Sequence, residues 1–270
     1  LAFVQRLVAE EGICWRVEED EAAPGGHTLV FFTNSSQQPE DAISASSLGG
    51  AGIRYHRSSS QEAQDSIQAL GSVRQLGPTA TAVQGWDYAA ITADAPTAHD
   101  WGGNEATSLQ SWLTSYDPTG DFVFGNNAEA QFAATRLQEA HEARYKTWLG
   151  RGTVRTLRAG TWFAVTQSTL DPLSAFGLSD DDKQFFVTRC DVVGINNLPK
   201  DLSHRIAQTL GNADLPALDD ATGGRDHIPV DHAALHAQAG QSGFACQFQA
   251  LRRNVPWRAL LMADPRLRPR

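Results

Sequence analysis

Apolar positions recur with a helical period at the start of the chain and with a strand period through most of the rest. In the opening run LAFVQRLVAEEG, Leu1, Val4, Leu7 and Val8 fall one turn apart with Phe3 beside them, while Arg6, Glu10 and Glu11 lie toward the other side. This spacing predicts an amphipathic helix closed by Gly12, where a left-handed cap meets no Cβ clash. Ile13, Trp15 and Val17 then alternate with Cys14 and Arg16, which predicts a half-buried strand in which Cys14 is a small core or edge residue. Acidic residues Glu18 to Glu21 and the turn Pro24-Gly25-Gly26 lead to His27–Phe32, the returning strand of a hairpin.

From Thr33 to Ser60 the pattern is polar and turn-rich, with a short strand candidate at Ile53 to Tyr55. Glu62 to Leu70 fits a short helix or the start of a strand. Ser72 to Leu76 and Thr81 to Tyr88 read as strands, followed by a loop from Thr92 to about Asn104. A second helix starts at Asn126 or Asn127, which can cap it, and runs about twenty residues toward Gly150. Phe132, Leu137, Ala140 and Tyr145 supply its apolar side, with Arg136, Glu139, Glu142 and Lys146 toward water.

After that helix the period returns to that of strands. Trp162–Val165, Gln184–Arg189, Asp191–Gly194 and Ser242–Leu251 are short candidates separated by glycine turns, the rhythm of a small antiparallel barrel or sandwich. Residues of about 199–241 break that rhythm with a helix candidate around Leu202 to Leu210 and a polar stretch. The expected fold class is therefore α+β, mostly β. Residues 1–125 hold helix and strands, residues 126–260 a long helix followed by a small barrel, and residues 261–270 the basic end.

Composition narrows the function classes. The formal net charge is −9, so binding to a phosphate backbone would need a local basic surface. The only basic run is the C-terminal one, from Arg252 to Arg270, and it lacks interleaved aromatics for base stacking; a connecting end is the plainer reading. Cys14, Cys190 and Cys246 are far apart and odd in number, which argues against a disulfide framework or zinc knuckle. No apolar run approaches the roughly 18 residues of a membrane span. The lack of an initiating Met and the start inside a periodic stretch suggest a piece of a longer polypeptide.

Motif chemistry is sparse. His232 and His236 are four apart and would share a helix face, with His227, Asp226 and Asp231 nearby. The glutamate of H-E-x-x-H is absent, so a solvated loop and short helix is the plainer reading. There is no G-x-S-x-G elbow, and Gly49-Gly50-Ala51-Gly52 lacks the context of a phosphate loop. No cofactor is implied, and nothing signals an enzyme.

The ordered string FVQRLVAEEGICWRVEED followed by HTLVFF resembles a segment of the VgrG spike proteins of bacterial type VI secretion, in their region similar to the phage tail baseplate hub. The matching residues are Phe3, Val4, Arg6, Leu7, Glu10, Glu11, Gly12, Ile13 and Trp15. Later anchors resemble the family in the same order: Asp87-Tyr88, the run from Gly152 through Gly160 to Phe163, Asn196-Asn197 with Pro199, and Pro256-Trp257. Asp87-Tyr88 departs from the pattern, since Ala89 and Ala90 stand where acidic and aromatic residues usually follow.

The resemblance implies a homotrimeric structural hub, without catalysis, seated on a tube of hexameric Hcp proteins and met by baseplate components. It further implies that residues 1–125 form an α/β part returning strands to an incomplete first barrel, that residues 126–260 hold the linking helix and second barrel, and that residues 261–270 connect to a small OB-type barrel and a puncturing needle, with effectors travelling on the spike. Such a protein would be assembled in the bacterial cytoplasm and then secreted or injected. A bacteriophage hub, or that of another contractile device, is the related alternative; a metal-dependent hydrolase using His227, His232 and His236 is the rival from another class. Under the hub reading, Trp162, Phe163, Phe185 and Phe186 are expected as subunit contacts, because strand alternation turns some of them out of a small barrel.

Overall fold

A computed structural model describes residues 2–56, 64–87, 91–94, 97–99, 113–121, 124–168, 179–195, 199–210 and 232–259. The chain opens with α1 (Ala2–Glu10) and the hairpin β1 (Cys14–Glu19) and β2 (His27–Phe32). Next come α2 (Ala42–Ser46), β3 (Ile53–Arg54), β4 (Ile67–Arg74) and β5 (Ala80–Asp87). They are followed by β6 (Thr92–Asp94), β7 (Thr97–His99), β8 (Thr114–Asp121), α3 (Asn127–Tyr145) and β9 (Lys146–Gly152). The last elements are β10 (Trp162–Thr166), β11 (Gln184–Gly194), α4 (Lys200–Leu210), α5 (His232–Ser242) and β12 (Phe244–Arg252).

Six strands form one curled sheet in the order β3-β10-β11-β12-β9-β4. All its neighbours are antiparallel except β3 and β10. The two edges touch where Tyr55 bridges Ile67 in parallel and the His56 amide donates to the Ile67 carbonyl at 2.8 Å. Inside the curl Phe163 stacks on Phe185 at 5.6 Å and meets Phe248 edge-on at 5.3 Å. Ile53, Ile67, Val154, Val165 and Val187 fill the remaining space. The interior is apolar and rich in aromatic rings, so its burial dominates the stability of this layer. Strands from both sides of residue 125 build this sheet, since β3 and β4 precede that position and the other four follow it.

Several sequence-based expectations shift for physical reasons. The long helix stops at Tyr145, and Lys146–Gly152 is strand β9 rather than a last helical turn. Its glycines explain the change: a Cβ on Gly150 would lie 2.0 Å from the Phe248 ring, and one on Gly152 would lie 2.4 Å from the Ser66 carbonyl oxygen. Helix α3 buries its small side chains, Ala130 and Ala134, against Val83, while Phe132 stays exposed beneath the Arg136 guanidinium. Glu142, expected in water, is buried. There the Gln138 amide donates to it at 3.2 Å, and the Thr81 hydroxyl donates to Gln138 at 2.8 Å.

The two strand candidates at 184–189 and 191–194 are one strand, β11, with a bulge between Val187 and Arg189. The stretch read as a loop from Thr92 contributes β6 and β7. Both pair with β5, which also holds β8 in parallel. The expected helix around Leu202 to Leu210 is α4, and α5 closes the excursion by packing Leu235 and Ala239 on Val193 and Ala245.

Candidate assembly surface

The opening motif forms the predicted unit. Gly12 adopts φ +68°, and the amides of Gly12 and Ile13 donate back to Ala9 and Val8 at 3.0 and 2.8 Å. A Cβ at Gly12 would lie 2.8 Å from Arg136 Cδ, so the end of α1 rests directly on α3. Phe3, Leu7, Glu10 and Glu11 are exposed, and Arg6 belongs to α1.

The hairpin buries one face against the chain. Cys14 and Phe32 are buried with Phe186, and Trp162 and Trp257 pack beside them. Trp15, Val17, Leu29 and Phe31 point outward. Register makes this set coherent: Trp15 is opposite Phe31, and Val17 is opposite Leu29. The small and polar set of the inner face finds partners there. The Cys14 thiol donates to the Trp257 carbonyl at 3.4 Å, and burial pushes its pKa up. Arg16 pairs with Glu18 at 2.6 Å, donates to Gln38, and lies over the Phe32 ring. Its stem also crosses Gly160, where φ is +85° and a Cβ would lie 2.6 Å from Arg16 Cβ.

The C-terminal segment clasps this unit from the other side. Arg258, read from sequence as part of a basic connecting end, is buried. Its Nε donates to Glu139 Oε2 at 2.7 Å, and its Nη1 donates to the Thr33 carbonyl. Arg136 shares the same Glu139 oxygen at 2.8 Å. The Trp257 amide donates to the Ser35 hydroxyl at 3.0 Å, and Pro256 is half-buried next to it. Arg253 lies 3.8 Å above the Trp162 ring and donates to the Ser36 carbonyl at 3.0 Å. The bonds of Arg258 to Glu139 and Thr33, of Trp257 to Ser35 and of Arg253 to Ser36 join positions more than a hundred residues apart, so no local periodicity in the sequence signals them.

Phe163, Phe185 and Phe186, expected as subunit contacts, are fully buried within this chain. Phe163 and Phe185 face the interior of the curl. Phe186 is turned out of it, as alternation requires, but the hairpin covers it, with Phe32 at 6.2 Å. Trp162 is half-buried beneath Arg253. Asp87 ends β5, opposite Thr92, and Pro199 is exposed just before α4. Tyr88, Asn196, Asn197 and His227 lie outside the described residues. His232 and His236 share α5 as expected and are exposed; among the described residues no group of three or more His, Cys, Asp or Glu is placed to hold a metal. No helix among the described residues is long and apolar enough to cross a membrane.

Cys190 on β11 and Cys246 on β12 are neighbours, and all three cysteines are free. The Cys190 thiol donates to the Cys246 sulfur. That hydrogen bond, with help from the Val154 and Gly152 amides, lowers the Cys246 pKa and raises that of Cys190.

A hairpin docked on a curled sheet, an outward apolar strip and the buried Arg258–Glu139 ion pair make up this surface. The sequence matches the phage tail baseplate hub (GPD) family over residues 1–198. The chain belongs to that family, and with it to the structural rather than the catalytic components of phage-tail-like machines. Among curated proteins none matches.

Solved structures resembling the chain include a tail protein from Neisseria meningitidis MC58, with a TM-score of 0.45, 9% identity, and coverage of 94% of this chain and 56% of that one. A 43 kDa tail protein of prophage MuSo2 from Shewanella oneidensis gives 0.46 and 7%, covering 95% of this chain and 53% of that one. Prophage tail protein gp18 from Listeria monocytogenes EGD-e gives 0.34 and 11%, with 69% and 46% covered. The chain thus spans about half the length of these tail proteins.

Proposed function

We propose that this chain is the hub part of a type VI secretion spike, in which three copies surround an axis and join a puncturing needle to a tube of hexameric Hcp-like rings. The observation that carries this reading is the family match over residues 1–198, which contains the helix–hairpin string that resembles VgrG. Effectors would ride on the spike, baseplate components would surround it, and the assembly would leave the bacterial cytoplasm on injection. The hub of a bacteriophage tail is the second reading, favoured by the description of the matched family itself.

Light scattering on the purified chain tests the stoichiometry, with three times 29.2 kDa expected. Sedimentation with preformed hexameric Hcp-type rings separates the two readings. Cosedimentation supports the secretion spike, and binding only to phage tube rings supports the bacteriophage hub.

A further inference from the structure

The hairpin is a two-stranded sheet with one face committed to the chain and the other turned away from it. On the outer face Trp15 is 44% exposed, Phe31 53%, Val17 48% and Leu29 47%. These four side chains form two directly opposed cross-strand pairs, so they make one continuous strip and not scattered surface residues. Side chains of this size at half exposure present about 400 Å² of apolar surface, within the range of the largest functional patches on monomers.

We propose that this strip, Trp15, Val17, Leu29 and Phe31, is the contact made with a neighbouring copy of the same chain; the proposal rests on the hub reading. Area is the first argument. A standard contact buries about 800 Å² per partner, of which a little over half is apolar, so the strip matches the apolar part of one such contact. Charge is the second. Copies of a chain with a formal charge of −9 repel one another, so contact between them needs a patch whose own side chains are uncharged, as these four are; Glu19 opposite His27 bounds it at the turn end.

The inner face explains how the strip is held ready. Cys14, Arg16 and Phe32 are fixed against Phe186, Trp257 and Gln38, so little ordering is left to be done on association. The four phenylalanine and tryptophan positions expected from sequence to make this contact are mostly enclosed by the chain itself. The contact therefore moves from the curled sheet to the hairpin laid over it.

The test is the solution mass of the full chain beside that of Phe31→Glu and of Val17→Glu, with circular dichroism and melting temperature recorded for each. Both positions are surface positions in the single chain, so the variants keep the wild-type spectrum; Leu29→Lys serves as a third should either fail to fold. The expected result is a wild type heavier than 29.2 kDa and folded variants at that mass, with apparent affinity between copies reduced at least a hundredfold. Folded variants that assemble like the wild type overturn the strip and leave the hub reading intact. A wild type that forms pairs, dissociated by the variants, sustains the strip and overturns the threefold hub. A wild type that stays monomeric across the concentration range overturns the strip.

Discussion

Arg258 Nε stands 2.7 Å from Glu139 Oε2, and this buried ion pair joins the C-terminal segment to the middle of α3. Through the Thr33 carbonyl the same guanidinium also holds the end of the hairpin. Arg258→Met keeps the volume and removes the charge, leaving Glu139 with Arg136 as its remaining ion-pair partner. Urea denaturation should show a loss of about 2 kcal/mol, less than for a buried pair with no second cation.

Two glycines in adjoining parts of the same sheet should respond very differently to alanine. Gly150 has the Phe248 ring 2.0 Å from where a Cβ would lie, whereas Gly194 has nothing within 4 Å. Gly150→Ala is expected to cost about 3 kcal/mol through forced repacking of the aromatic interior, and Gly194→Ala to change stability by less than about 0.5 kcal/mol. Equal midpoints for the two variants in a denaturant titration would show that the interior yields to added volume.

Removing one hydroxyl tests the polar seam between α3 and β5. In Thr81→Val the Gln138 oxygen loses its donor in a buried site, for a cost of about 1 to 2 kcal/mol. Thermal melts of the single variant and of Thr81→Val with Gln138→Leu should show the double change recovering none of that loss, since leucine also removes the amide that donates to buried Glu142 and to the Pro78 carbonyl.

His141 sets one part of the dependence of stability on pH. Burial lowers its pKa below the ordinary value of 6.5, and its Nε2 is enclosed without a hydrogen-bond partner. The unfolded chain therefore takes up a proton near pH 6.5 that the folded chain refuses. Stability from this group is present above that pH and is lost as the pH falls toward the folded value. His141→Gln should flatten the decline measured by denaturant titration between pH 7.5 and 5.

The neighbouring thiols of half-buried Cys190 and buried Cys246 differ in the opposite sense from simple exposure. Cys246 is the more enclosed, yet its sulfur accepts the Cys190 thiol and two amides, so the first proton to leave the pair comes from Cys246. Cys190→Ala removes that donor and should raise the pH at which thiolate absorbance near 240 nm appears; an unchanged onset would assign the first titration elsewhere.

Local patterns were legible where neighbours in sequence are neighbours in space. The opening helix, its Gly12 stop, the hairpin turn and the strand rhythm after residue 150 all followed from period and turn chemistry. Which face of the hairpin is buried did not, because the inner face is satisfied by partners distant in sequence, Gln38 and Trp257, that alternation alone does not reveal. The end of α3 was misread for a related reason: only the approach of Phe248 reveals why Gly150 belongs in a strand. The metal alternative at His232 and His236 depended on His227, which lies outside the described residues.

Strands β11 and β12 remain paired up to Gly194 and Phe244, and the Ile195 amide donates to the Gly243 carbonyl at 2.9 Å just beyond. Residues 195 and 243 therefore stand side by side, and α5 packs on the same two strands just before the second of them. The cost of lengthening a connection between two such fixed points grows only with the logarithm of its length. A segment inserted between α4 and α5 would therefore leave the β11–β12 register untouched.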